Sequence, residues 1–124
     1  NTPISLGELV DKISILIIKQ KNITDETKLD HVKKELDFLQ KTLMNYVQQE
    51  EINNHLENLI NINSKLWNIE DDIRECERKK LFDQTFIDLA RSVYFTNDER
   101  AKVKNDINKT FGSELVEVKS YEEY

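Results

Sequence analysis

Glycine and proline are almost missing from this chain: two and one, respectively, in 124 residues. β-Sandwiches, barrels and glycine-lined phosphate loops all consume residues that tolerate positive φ or tight turns. Those architectures are therefore excluded, and with them a P-loop or a dinucleotide fingerprint. A lone cysteine, Cys76, excludes an internal disulfide. Long apolar stretches are lacking too. The longest run is Ile15-Leu16-Ile17-Ile18, far short of the roughly 20 residues that a membrane-spanning helix requires, and no charged, apolar and cleavable leader is evident. The expectation is a soluble, reduced, cytoplasmic protein without a membrane partner. Positive charge is the minority sign, with 18 Lys+Arg against 24 Asp+Glu and a net charge of −6. That balance argues against a nucleic-acid surface while leaving room for a local anion pocket.

What the chain does contain is helix periodicity. With 38% hydrophobic and 34% charged residues, it has one domain's worth of core. Ser5 is a helix cap, with Glu8 three residues on to complete a capping box, and Leu6, Leu9, Val10, Ile13, Leu16 and Ile17 follow at helical spacing. This first helix, apolar over a wide face, is expected to be central. Thr24-Asp25-Glu26 caps a second, long helix with the stripe Leu29, Val32, Leu36, Leu39, Leu43 and Tyr46, folded back on the first as an antiparallel hairpin. A third, long helix begins within residues 48–54, with Asn53-Asn54 the weakest point. It carries Ile52, Leu56, Leu59, Ile62, Leu66, Ile69, Ile73 and Cys76 to a basic end at Lys79-Lys80. Asp83 caps a fourth helix and Asn97 a fifth, and Gly112 stops the last. Residues 113–124 form an extended tail. The expected fold is an all-α, single-domain bundle of about five helices, the second and third long, spanning residues 1–124.

Beside its apolar stripe, the third helix stacks Ile60, Asn63, Trp67, Glu70, Arg74 and Glu77 one above another. On a water-facing side Glu70 and Arg74 form an ordinary ion pair; facing a groove, the same row is a polar site with an aromatic wall. The chain has 14 Lys but only four Arg, all in one segment: Arg74, Arg78, Arg91 and Arg100. Arginine suits buried carboxylates and bound phosphates because its donors form a rigid fork. The cluster reads either as an inter-helix network with Glu70, Asp71, Asp72, Asp88 and Asp98 or as an anion site. Arg100 and Lys104 are like charges one turn apart, which calls for something negative between them. Asn97, Asp98 and Arg100 open the fifth helix, and Glu8, Asp11 and Lys12 of the first helix are further lining candidates.

Glu8/Asp11 and Asp72/Glu75 have spacings that place each pair on one helix face. Facing one another across the bundle, they would suit Mg²⁺. No other metal or cofactor is expected: His31 and His55 lie on different helices without partners at zinc-ligand spacing. Cys76, on the apolar stripe, reads as an inert core thiol.

Several blocks are distinctive as they stand: Gly7-Glu8-Leu9-Val10-Asp11-Lys12-Ile13, the run Leu66-Trp67-Asn68-Ile69-Glu70-Asp71-Asp72-Ile73-Arg74-Glu75-Cys76-Glu77, Leu89-Ala90-Arg91-Ser92-Val93-Tyr94 with Asn97-Asp98-Glu99-Arg100, and Gly112-Ser113 followed by Lys119-Ser120-Tyr121. Over nearly the whole chain they resemble an uncharacterised bacterial and phage family, a domain of unknown function. Similar domains occur alone or joined to tetratricopeptide-repeat or glycosyltransferase-like modules, which implies an accessory role near glycan or nucleotide-sugar chemistry.

The leading expectation is a non-enzymatic helical binding or interaction module. Its polar centre would join Trp67, Glu70, Arg74, Arg91, Asn97, Asp98, Arg100 and Lys104 with Glu8, Asp11 and Lys12 and take a small anionic ligand. A protein partner or a homodimer is expected over a monomer. The alternatives are a Mg²⁺-dependent nucleotide or nucleotide-sugar phosphohydrolase and a purely structural assembly partner.

Overall fold

Ser5 starts the first helix as its chemistry dictates. Its backbone is extended (φ −74°, ψ 163°) and its Oγ accepts the Glu8 N–H at 3.2 Å, satisfying one of the N–H groups that a helix start leaves unpaired. Helix α1 (Leu6–Asn22) follows. The Glu8 carboxylate does not serve the expected capping box; it binds Lys104, 96 positions along the chain. The computed structural model describes residues 2–112 and 115–118.

Helix α2 (Glu26–Met44) is capped by Asp25, whose Oδ1 accepts the Lys28 N–H at 3.1 Å. Val32, Leu36, Leu39 and Leu43 are buried. Tyr46, expected to end this stripe, is exposed, because the helix stops at Met44 and the turn carries Val47 inward in its place.

Helix α3 (Gln49–Lys79) runs through Asn53-Asn54 without the expected interruption. Both asparagines are exposed, where their low helix propensity costs no more than about 0.7 kcal/mol each, while buried Ile52 and Leu59 hold the helix to the core. It ends as the basic Lys79-Lys80 pair implies. Lys80 turns left-handed (φ 53°), and the Leu81 N–H bonds back to the Cys76 carbonyl at 2.9 Å. Cys76 itself is half-buried rather than a core thiol, because it lies past the last buried residue of α3, Ile69.

Helix α4 (Gln84–Phe111) corrects the helix count. Asp83 caps it through the Thr85 and Phe86 N–H groups, but Asn97 caps nothing: the helix continues through it to Phe111 and ends at Gly112 (φ 93°). Nothing in Thr96-Asn97-Asp98-Glu99 forbids helical geometry, and packing on α3 outweighs the mild preference of Asn for a cap. The described residues therefore form four helices, not five, and α4 joins α3 as a long one.

A short ribbon completes the fold. Strand β1 (Thr2–Ser5) pairs antiparallel with β2 (Leu115–Val118), with Thr2 opposite Val118 and Ser5 opposite Leu115. The extended tail expected from the sequence thus has a strand partner over residues 115–118. Its remaining residues, 113, 114 and 119–124, lie outside the described residues.

As expected, α1 is central. Helices α2, α3 and α4 all pack on it, and α3 and α4 pack on each other. Leu9, Val10 and Ile13 of α1, Val32 and Leu39 of α2, Ile52 and Leu59 of α3 and Ile107 of α4 share one core. Gly7 sets how closely α1 approaches α4: a Cβ there would lie 2.4 Å from the Lys104 carbonyl oxygen, and the Gly7 N–H donates to Asn108 Oδ1 at 2.8 Å.

Away from this core the α3–α4 hairpin projects as an arm. Ile69 is the last buried residue of α3 and Thr96 the first of α4, and nothing in residues 70–95 is buried. At helical rise the α3 side of the arm extends about 15 Å.

Candidate functional site

Asp11 and Ser14 stand one turn apart on α1 and both face inward, with exposures of 2% and 0%. A carboxylate so deeply buried requires charged and hydrogen-bonding partners, and α3 and α4 supply them. Arg100 of α4 donates from Nε to Asp11 Oδ1 at 2.9 Å and from Nη2 to Oδ2 at 2.5 Å. Asn63 of α3 donates from Nδ2 to the same Oδ1 at 2.9 Å and to Ser14 Oγ at 2.8 Å, while the Ser14 hydroxyl donates to the Asp11 carbonyl at 2.6 Å. Lys104 completes the cluster. Its Nζ binds Glu8 and lies 4.0 Å from Asp11 Oδ2. Among the described residues, no buried side-chain polar atom is left without a hydrogen bond.

The hydrogen bond to Asp11 is the main reason the Arg100 guanidinium holds its proton even more tightly than usual. Burial opposes this, and the charges of Asp11, Glu8 and Glu70 add to it. The negative group that the Arg100/Lys104 pair demanded is thus built into the protein.

Next to this cluster lies a cleft of about 210 Å³, lined by Ile15, Ile18, Asn63, Leu66, Trp67, Glu70 and Arg100. Trp67 is half-buried there and Glu70 stands at the exposed rim. The expected meeting of Trp67, Glu70, Arg100, Lys104, Glu8 and Asp11 around α1 is therefore present. Asn63 belongs to it as well, along with Ser14, which the sequence reading passed over. The signal for Ser14 was available: a hydroxyl interrupts an otherwise apolar run three residues after an acid.

The other candidates lie elsewhere. Arg74 pairs with Asp71 and Arg78 with Glu75, each within α3 and on the surface. Arg91 is exposed, with its guanidinium carbon 5.8 Å from the Phe95 ring centroid. Of the four arginines only Arg100 turns inward, and its partner is Asp11 of α1, not an acid of α3 or α4. The others sit on the arm, beyond the reach of α1. Asn97 and Asp98 are exposed in mid-helix. Lys12 is exposed and close enough to Glu35 of α2 to act on its charge, so it belongs to the α2 side.

The two acidic pairs do not face each other as a metal centre. Glu8 and Asp11 hold Lys104 and Arg100, whereas Glu75 holds Arg78 and Lys79 in the arm and Asp72 is exposed. Among the described residues there is no group of three or more His, Cys, Asp and Glu side chains placed to hold a metal ion. No described helix is long and apolar enough to cross a membrane. What the arrangement does chemically is clamp: it fixes three helices around one buried carboxylate, whose oxygens are spent on Arg100 and Asn63.

Neither a curated protein nor a solved structure matches the chain. A family model does, and it covers every block quoted above together with Asp11, Asn63 and Arg100. Over residues 1–124 the chain belongs to DUF6165, a family of unknown function.

Proposed function

We propose that the protein is a non-enzymatic helical interaction module, in which the Asp11-Asn63-Arg100 clamp braces a projecting arm that binds a protein partner. The observation that carries this reading is the arm itself. Nothing in residues 70–95 is buried, yet Leu81, Phe82, Ile87, Tyr94 and Phe95 are each between 47% and 66% exposed. Clustered apolar exposure of this kind marks an interaction surface. The test is a photoreactive phenylalanine analogue placed at Tyr94 and, as a control on α2, at Met44, with irradiation in the producing cells. Adducts from the Tyr94 position alone are the expected result. Their absence from both positions overturns the reading.

A second reading is supported by the cleft beside Trp67, where a small anion would meet the Arg100 guanidinium against the indole, since the Asn63 amide gives both its N–H groups to Asp11 and Ser14. Arginine has five N–H donors, and two of those on Arg100 are given to Asp11. Trp67 is the sole tryptophan, so its fluorescence reports on this cleft directly. Quenching by inorganic phosphate, a sugar phosphate or a nucleotide sugar that disappears in Arg100→Lys is the expected outcome. An unchanged spectrum across those ligands removes this reading. The phosphohydrolase alternative gains nothing from the geometry, since Glu8, Asp11 and Glu75 of its proposed ligands already hold cations and Asp72 is exposed.

A further inference from the structure

We propose that the cleft beside Trp67 binds a free α-amino acid with an apolar side chain, its carboxylate on Arg100 and its ammonium on the Asn63 amide oxygen, on the side that Glu70 makes negative. This rests on the second reading above, in which Arg100 meets an anionic group in this cleft, and it adds a positive group and an apolar one to the ligand.

Asn63 calls for the positive group. Its amide nitrogen donates to Asp11 Oδ1 and to Ser14 Oγ. A carboxylate only accepts, so the nitrogen faces Asp11 and the amide oxygen is turned away from it. Asn63 is 6% exposed, and among the described residues nothing donates to its Oδ1. No buried side-chain polar atom there lacks a hydrogen bond, so an unbonded Oδ1 is not sealed off. It opens into the cleft that Asn63 lines. An acceptor on a nearly buried side chain is thus left for a donor that a bare carboxylate cannot supply.

The charges agree. Asp11 already answers Arg100, Glu8 answers Lys104, and Glu70 is left over as an acid. Among the described residues Glu70 has no ion pair or hydrogen bond; it acts on Arg100 by its charge alone. A free anion would therefore enter a site whose nearby charges already sum to a negative value, and a free cation would meet the outward N–H groups of Arg100. A zwitterion offends neither. Its two charges must lie close together, because Arg100 Nε and Asn63 Nδ2 donate to the same Asp11 oxygen, each at 2.9 Å, which holds the guanidinium and the amide side by side. The α-carbon of an amino acid carries a carboxylate and an ammonium at that kind of spacing. Beyond Asn63 and Arg100 the wall is Ile15 and Ile18 of α1 with Leu66 and Trp67 of α3. Aliphatic groups pack on such a wall, and the indole face also attracts an ammonium. The volume of about 210 Å³ falls below the roughly 300–1,000 Å³ of pockets for drug-sized ligands and suits a molecule of amino-acid size.

Isothermal titration calorimetry at millimolar ligand tests this with leucine, isocaproate (leucine without its amine), isoamylamine (leucine without its carboxylate) and inorganic phosphate. Leucine should bind, and each of the others about tenfold more weakly or worse. Glu70→Gln, at an exposed position, should cut the preference for leucine over isocaproate about threefold with unchanged circular dichroism. Leucine bound with phosphate silent puts the zwitterion in place of the free anion. Isocaproate or phosphate binding as tightly as leucine overturns the proposal and leaves the small-anion reading standing. Isoamylamine binding as tightly as leucine, or no binding by any of the four, overturns both. Leucine binding that leaves Trp67 emission unchanged and is indifferent to Glu70→Gln places the ligand elsewhere and overturns the proposal.

Discussion

Asp11 and Arg100, 89 positions apart, are joined by two parallel hydrogen bonds but unequally shielded: the carboxylate side chain is 2% exposed and the guanidinium side chain 28%. The inequality decides what each truncation costs. Arg100→Ala strands a fully buried carboxylate and should destabilise the fold by about 3–5 kcal/mol. Asp11→Ala leaves a cation that still reaches water, together with the Asn63 amide, which keeps Ser14 Oγ as an acceptor, and should cost about 2–3 kcal/mol. Urea denaturation of the two variants checks the order.

At the crossing of α1 and α4, Gly7→Ala sets two effects against each other. Alanine gains about 1 kcal/mol of helix propensity. Its methyl, however, would lie 2.4 Å from a backbone oxygen of Lys104, which no side-chain rotation relieves. Overpacking typically costs about 1–3 kcal/mol, and backbone against backbone belongs at the upper end. Thermal melting should show a net loss of stability.

Asn97 separates one continuous α4 from two helices. As a cap, its replacement by alanine would cost about 1 kcal/mol. As an exposed residue in mid-helix, Asn97→Ala should stabilise by a few tenths of a kcal/mol. The sign of the change in the denaturation midpoint is the measurement.

Burial pushes the Glu35 carboxyl above its ordinary 4.5, and the nearby charges of Lys12 and Lys19 only partly offset it. A carboxyl with a raised folded-state pKa binds more protons folded than unfolded. Its contribution is therefore fully present below about 4.5 and is lost as pH rises through the folded value. Glu35→Gln should accordingly be more stable than the wild type at neutral pH, and the difference should close in acid. Denaturation series across pH on both proteins give the comparison.

Local chemistry made most of the fold legible. Ser5, Asp25, Asp83 and Gly112 cap or stop helices through groups within a few residues of themselves, so sequence spacing finds them. Asn97 carries the same local signature and misleads, because the continuity of α4 is decided by the partner helix along its side. The arginines divide in the same way. Arg74 and Arg78 find acids three positions back on their own helix, whereas the choice of Asp11 by Arg100 depends on how far α1 reaches. The strand pairing of residues 2–5 with 115–118 is non-local throughout, and four-residue segments carry too little pattern to announce it.

The apolar steps of α1, from Leu6 through Leu9, Val10 and Ile13 to Leu16 and Ile17, are close to interchangeable in size and greasiness. On their own they would let the helix slide by one turn against α3 and α4 at small cost. Such a slide would drag the Asp11 carboxylate off both its guanidinium and its amide and strand it among hydrocarbon. One acid thereby turns a sliding rod into a keyed one: misaligned packings are rejected by electrostatics as well as by the close approach at Gly7, where a slide would press a side chain onto the Lys104 carbonyl.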